Sequence, residues 1–393
     1  MSYYKPIVQS FKVPYEYRLH FTEHLFKADN TLLRDLVLDY NSKGNVKVLF
    51  VIDSGVLEAH SRLSDQITAY CQKYSAAMNN TEQIVVPGGE QCKNDYGNIE
   101  RILQGINDNR ICRHSFVVAI GGGAIIDMVG YAAAIAHRGV KLIRIPTTVL
   151  SQNDSAVGVK NSINIFGKKN FLGTFAPPYA IINDHSFLTT LEQRDWISGI
   201  AEAIKVALIK DEVFFADIEK NCEKLRDREM EAMQYLIYRC AEMHMEHIAQ
   251  GGDPFESGSS RPLDFGHWAA HKLEYMTNYQ IRHGEAVAIG MALDLVYAQL
   301  VGLIDADTLK RILEVLERIG FSLHIPLAGE KEVDELLRGI EEFREHLGGE
   351  LTITLIDQIG TKHDVHQIDR SIMKQAIIWL NNKYEPKISV AKC

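Results

Sequence analysis

The chain has 393 residues, a net charge of −9, 46% hydrophobic and 24% charged residues, which suits a soluble globular protein of two domains. With no long Lys/Arg block, nucleic acid is not an expected partner. No run approaches the roughly 20 apolar residues of a membrane span, and the polar opening MSYYKPIVQSFKVPYEY does not read as a signal peptide.

The first half alternates short apolar runs with helical patterns. VKVLFVID (46–53) predicts a buried strand ending in an acid, and LEAHSRLSDQITAYCQKY after it is amphipathic at helical period. EQIVVPGG (82–89) predicts a second strand and YGNIERILQGINDN a second helix. SFVVAIGGG (115–123) is a third strand leading into IIDMVGYAAAIAHRG, and VKLIRIPTT (140–148) a fourth. Such alternation implies a parallel, doubly wound sheet. From about Asp184 long helical patterns dominate, so residues 1–184 read as an α/β nucleotide-binding domain and 185–393 as a mainly α domain. The acidic run GEKEVDELLRGIEEFREHLGGE (329–350) reads as a solvated helix. Six scattered cysteines (71, 92, 112, 222, 240 and 393), never spaced as CxxC, read as free thiols of a reducing cytoplasm.

Five stretches carry chemistry. AIGGGAIID (119–127) sets three glycines between an apolar strand and a helix, where backbone N–H groups and the dipole can hold a phosphate; it is not the GxGxxG fingerprint. PTTVLSQNDSAVGVKNSINIFGKKNFLG (146–173) reads as a loop or ribbon leaving the sheet, with Asp154, Lys160, Lys168, Lys169 and Asn170 suited to an anionic ligand. In GIAEAIKVALIKD (199–211), Glu202 and Lys205 are polar intruders at i and i+3, either an internal ion pair or part of a metal site. LDFGHWAAH (263–271) puts His267 and His271 one turn apart, and RHGEAVAIGM (282–291) opens an apolar helix at His283. These three histidines and Glu202 are candidates for one zinc site, since catalytic zinc takes three N/O ligands and keeps a position open.

Together these motifs resemble the sugar phosphate cyclases, whose best-known member is 3-dehydroquinate synthase. The resemblance runs from about residue 45 to 300 through collinear motifs. It implies an N-terminal NAD-binding α/β domain, a C-terminal helical metal-binding domain and a homodimer. By the same resemblance the zinc (or cobalt) ligands are Glu202, His267 and His283, while His271 contacts substrate. Asp53, Glu90, Lys93, Gly121, Gly122, Gly123, Asp127, Thr147, Thr148 and Lys169 match the nucleotide contacts. Arg138, Asp154, Lys160, Asn170, Lys205 and His271 match the substrate pocket. The implied chemistry is transient oxidation of a ring hydroxyl by NAD, loss of phosphate, return of the hydride, ring opening and an intramolecular aldol closure.

Departures from the 3-dehydroquinate synthase pattern bear on the substrate. In that enzyme LNxGHxxGH follows an arginine, and both the Asn and the Arg face a substrate carboxylate. Here Asp264 stands at the Asn position and Ser260 at the Arg position, with Arg261 one residue over. A family lysine seven residues before Asp253 falls on Glu246. A charged hydrogen bond to a carboxylate is worth about 1.5–3 kcal/mol, so Ser and two acids in place of cationic partners imply a substrate without that carboxylate. The pattern is similar to the branch that cyclises sedoheptulose 7-phosphate to a valiolone, and EEFREHLGGELTITLIDQIG resembles cyclase-like proteins of ebo gene clusters. Another family lysine falls near Arg344 or His346.

Overall fold

The computed structural model describes residues 4–166, 168–251, 255, 264–327, 329–346 and 348–385. In the first half, strands β1 (Arg18–Thr22), β2 (Val46–Asp53), β3 (Met78–Val86), β4 (Phe116–Gly121), β5 (Lys141–Pro146) and β8 (Ala180–Asp184) form one sheet. Its order is β1-β8-β5-β4-β2-β3, and every pairing is parallel. Between β5 and β8 an antiparallel hairpin, β6 (Lys160–Ile165) and β7 (Lys168–Phe175), leaves the sheet. Helices α1 (Leu32–Tyr40), α2 (Ser54–Ala59), α3 (Leu63–Lys73), α4 (Tyr96–Asp108) and α5 (Gly123–Ile135) cover it.

Alternation along β2 explains why that strand is apolar on both sides. Val48, Phe50 and Ile52 enter the core with α1 and α3, whereas Leu49 and Val51 enter the opposite core with α4 and α5. The four strands read from the sequence are present. β1 and β8 escaped that reading because both are five-residue segments without clear period.

The second half holds α6 (Gln193–Ser198), α7 (Ile200–Lys210), α8 (Glu212–Lys220), α9 (Cys222–Arg226), α10 (Met230–Gln250), α11 (His267–Met276), α12 (His283–Leu300), α13 (Ala306–Ile319), α14 (Glu330–His346) and α15 (Arg370–Tyr384). The sequence did not suggest the antiparallel hairpin β9 (Ile353–Gln358) and β10 (Thr361–Val365) that lies between α14 and α15. Helix α12 is apolar nearly all round, and so it is buried at the centre of this core. It meets α11 backbone to backbone. Gly266 has φ +78°, and a Cβ on Gly290 would fall 2.0 Å from the Gly266 carbonyl oxygen. The acidic helix α14 is less solvated than expected. Leu336, Leu337, Ile340 and Phe343 are buried, and buried Lys272 of α11 reaches both Glu335 and Glu342 at 2.6 Å. Among the described residues, no helix is long and apolar enough to cross a membrane.

Candidate active site

The sheet reverses direction of winding between β2 and β4, since β3 lies beyond one and β5 beyond the other. In open α/β sheets, ligands bind at such a switch point, beyond the carboxyl ends of the strands. Here β2 ends at Asp53, whose carboxylate accepts from the Gly55 amide at 2.8 Å. The loop after β3 passes so close that a Cβ on Gly88 would lie 2.3 Å from an Asp53 oxygen. Burial pushes the Asp53 carboxyl upward against the amides that cap it. Strand β4 ends at Gly121, Gly122 caps α5, and Gly123 is its first residue. A Cβ on Gly123 would sit 2.5 Å from Ser155 Oγ, so the glycine allows close approach of the helix start to the next loop. The α5 N-terminus thus directs its free N–H groups into the crevice. After β5, the Thr147 amide donates to the Gly121 carbonyl at 3.0 Å, and Thr148 joins Ser151 in a hydroxyl pair at 2.8 Å.

Loop 151–160 begins with a π-helical turn, Ser151–Ser155, that carries Asp154. Fully buried Arg144 holds the remainder of that loop. Its guanidinium donates to the carbonyls of Ala156 (2.7 Å), Gly158 (2.5 Å) and Lys160 (3.3 Å), and to Asn161 Oδ1 (2.7 Å). Burial lowers the guanidinium to about 10, so it stays charged near neutrality. The sequence had suggested only a strand there, and nothing local distinguishes a buried arginine from an edge one.

Across the crevice, α7 presents Glu202 and Lys205, both buried and in direct ion pairing. His267 and His283 are the first residues of α11 and α12. His267 Nε2 lies 3.6 Å and His283 Nε2 3.4 Å from Glu202 Oε1. Ligand atoms of the three residues all fall within 4.8 Å of one another. Lys205 answers Glu202 Oε2, while Oε1, facing His267 and His283, is buried without a hydrogen bond of regular geometry. That is expensive unless a cation fills the gap, and two imidazoles with a carboxylate suit zinc or cobalt. His267 Nδ1 lies 3.1 Å from the Phe265 carbonyl, an acceptor only, which leaves Nε2 for a metal. Burial disfavours the Glu202 carboxylate, but Lys205, His267 and His283 overcome it and hold the group well below the usual range. Burial likewise opposes an imidazolium at His283, yet Glu274 and Glu202 raise it to about 9. Metal binding there would release a proton.

His271 does not join the three. It opens to solvent one turn beyond His267, with ring centroids 5.5 Å apart. Next to Lys205 the reactive lining continues with Asp154, whose Oδ1 is 3.0 Å from His244 Nδ1. Burial and Glu202 would raise the Asp154 carboxyl, but His244 and Lys205 bring it below its ordinary value. Asp264, just before α11, bears electrostatically on both Lys205 and His267.

A family description, 3-dehydroquinate synthase N-terminal, matches residues 83–198, and its companion, 3-dehydroquinate synthase C-terminal, matches residues 199–343. The chain is 36% identical over 298 residues to the 3-dehydroquinate synthase of Vibrio atlanticus (strain LGP32), spanning 76% of this chain and 81% of that protein. This chain belongs to the 3-dehydroquinate synthase family. The corresponding enzyme of Shewanella sp. (strain MR-4) is 35% identical over 307 residues, 78% of this chain and 84% of the relative. Among solved structures, the 2-epi-5-epi-valiolone synthase ValA of Streptomyces hygroscopicus subsp. jinggangensis 5008, with NAD+ and Zn2+ bound, superposes with TM-score 0.84. It is 26% identical, with 96% of this chain and 99% of that one covered. A 2-deoxy-scyllo-inosose synthase shares the fold, with TM-score 0.74 and 23% identity over 91% of this chain and 95% of that one.

Within this dehydroquinate synthase-like fold, several expected residues take unexpected places. Arg138 lies past the far end of α5, about 20 Å from the glycine turn at 1.5 Å per residue. It lines a cavity of about 540 Å³ with Cys112, Arg113, His114 and His137, and is not part of the site in its own chain. Lys169 and Asn170 lie on opposite sides from those expected. Lys169, expected at the nucleotide, reaches Glu274 behind Glu202, His267 and His283 at 3.1 Å. Asn170, expected at the substrate, accepts from Lys93 Nζ at 2.5 Å. Lys93 is buried and also bonds Asp127 at 2.8 Å, with Glu90 at 3.6 Å. Lys160 opens β6 on an exposed position.

Glu246, aligned with a family lysine, lies near Lys210 instead, and it is His244, two residues earlier, that faces the site. Arg344 is exposed and pairs with Glu341 at 2.9 Å on α14. Asp253, Ser260 and Arg261 lie outside the described residues, as does the His346 side chain. Sequence reasoning also missed Glu274. Only its place seven residues after His267, on the same helix face, could have signalled it.

Proposed function

We propose that this chain is a sugar phosphate cyclase, a phosphate-eliminating carbon–oxygen lyase, that converts sedoheptulose 7-phosphate to a valiolone-type C7 cyclitol. The observation that carries this reading is Asp264. Its carboxylate is near enough to bear electrostatically on Lys205 and His267, so a carboxylated substrate there would meet like charge and a polyhydroxylated one a hydrogen-bond acceptor. The likeness to the Streptomyces valiolone synthase supports the same branch.

The cofactors in this reading are NAD and zinc or cobalt, which when bound would supply a hydride acceptor and a Lewis acid. Glu202, His267 and His283 would hold the metal. Asp53, Gly121, Gly122, Gly123 and the α5 N-terminus would hold the dinucleotide's ribose and phosphates, with Glu90, Lys93, Asp127, Thr147 and Thr148 around them. His271, open to the cleft, is placed to exchange a proton with a substrate hydroxyl. Lys205, between Glu202 and Asp154, fixes the charge of both and faces developing negative charge on the substrate. Lys160 would bind the phosphate that leaves. A homodimer is part of the reading, supported by the apolar Ile7, Val8 and Phe11, at 90%, 82% and 86% exposure on the N-terminal segment. A cytoplasmic location is supported by the free thiols of Cys71, Cys92, Cys112, Cys222 and Cys240.

The second reading is 3-dehydroquinate synthase itself, favoured by the identity to the Vibrio and Shewanella enzymes. A third, a metal-dependent alcohol dehydrogenase of glycerol dehydrogenase type, rests on fold alone. The test offers sedoheptulose 7-phosphate and, separately, the carboxylated heptulosonate phosphate, each with NAD and zinc. Phosphate release from the first alone, without net NADH, is the expected result. Release from the second alone would overturn the substrate assignment, and net NADH without phosphate would point to the dehydrogenase.

A further inference from the structure

Glu274 is a buried carboxylate to which the proposed function gives no role. It lies on α11 two turns beyond His267 and is only 4% exposed. Its Oε2 is 3.1 Å from His283 Nδ1, and its Oε1 accepts from Lys169 Nζ at 3.1 Å. Each oxygen therefore has one partner, and the two partners lie on different elements. His283 meanwhile turns its other nitrogen, Nε2, toward Glu202 Oε1.

A carboxylate accepts hydrogen bonds and cannot donate them when ionised. Opposite Glu274, Nδ1 must carry the proton, which leaves the Nε2 lone pair for a metal. Lys169 comes from β7, on the hairpin that leaves the nucleotide-binding sheet, so the contact crosses from one half of the chain to the other. We propose that Glu274 is a positioning residue that holds His283 in its metal-binding tautomer and orientation, and that Lys169 acts on the metal centre only by fixing Glu274. The proposal rests on Glu202, His267 and His283 as metal ligands but not on the choice of sugar.

The test uses the full-length protein with zinc or cobalt alone and no nucleotide. Zinc affinity is measured by competition with a chromogenic chelator, and the visible spectrum of the Co2+-loaded protein reports ligand geometry. Glu274→Gln should weaken zinc binding by about 10- to 100-fold, the usual cost of losing such a partner, and shift the cobalt bands. Lys169→Met should weaken it less, and the double variant should be no worse than Glu274→Gln alone. Unchanged affinity and spectrum in Glu274→Gln would overturn the proposal, and so would additive losses in the double variant. Should Glu274→Gln fail to fold, Lys169→Met, on a side chain 27% exposed, decides alone: unchanged affinity would overturn the proposal. Wild-type protein that binds metal tightly but releases phosphate from neither sugar would defeat the functional reading and leave this one standing. Wild-type protein that binds neither metal would defeat both.

Discussion

Glu202 shows how far single residues can carry a functional argument. A carboxylate in an apolar helix is improbable without a partner, and it was visible as such in the sequence. Its partners were visible as candidates, Lys205 one turn on and the three histidines, and the family resemblance rather than spacing singled out His267 and His283. Spacing alone pairs His267 with His271, whereas helix packing brings His283, sixteen residues further on, to the same oxygen. His283→Ala should therefore empty the site of zinc, and His271→Ala should keep zinc while turnover falls. Metal analysis of both purified variants checks this; zinc loss from His271→Ala would restore the one-turn pair as ligands. His244 and Glu274 were illegible for a different reason. Polar residues on an amphipathic helix read as solvated, and only the fold shows which of them face a cleft.

At the scale of elements, two buried ionisable side chains hold the segments that carry the chemistry. Arg144 ties together the carbonyls of loop 156–160. Arg144→Met should speed amide exchange in that loop and lower kcat/KM with zinc still bound; unaltered exchange would show that the loop holds itself. Asp294, fully buried on α12, accepts from the Gly266 amide at 3.0 Å and from the Trp268 indole at 2.8 Å, one on each side of His267. Burial raises its carboxyl to about 7, against the two hydrogen bonds. An unfolded aspartate titrates near 4, so the folded state binds the extra proton between those values. The stability from this proton is complete below pH ~4 and is lost as pH rises through 7. Asp294→Asn should remove that slope, worth at most about 1.4 kcal/mol per pH unit, in denaturation curves at pH 5, 6 and 7. A variant with the wild-type slope would place the proton elsewhere.

For the molecule as a whole, the α/β half and the helical half were legible because each has its own period. Parallel strands such as VKVLFVID are apolar throughout, and the later helices repeat every three to four residues. The β6–β7 hairpin was anticipated only as a loop or ribbon leaving the sheet, and β9–β10 not at all. Their strands alternate weakly, and β7 has no buried residue to mark a face. Yet β6–β7 joins the two halves, since Lys93, Asn170, Lys169 and Glu274 form its contacts. Saturating NAD should stabilise the whole chain, by about 2.7 kcal/mol at a hundredfold excess over Kd, seen as a rise in Tm. Gly123→Val, whose Cβ would meet Ser155, should abolish that rise and leave zinc binding intact; a retained rise would move the dinucleotide away from the α5 N-terminus.

The crossing of α11 over α12 also constrains the lineage of this chain. Gly266 and Gly290 let two main chains touch, and His267 and His283 begin the same two helices. A side chain on either glycine would push His267 and His283 apart, though neither glycine is itself a candidate site residue. In a library of all single substitutions selected for activity, these two positions should be as barren as the ligands themselves. Any descendant that reshapes its sugar pocket would have to do so from the loops and leave this crossing as it stands.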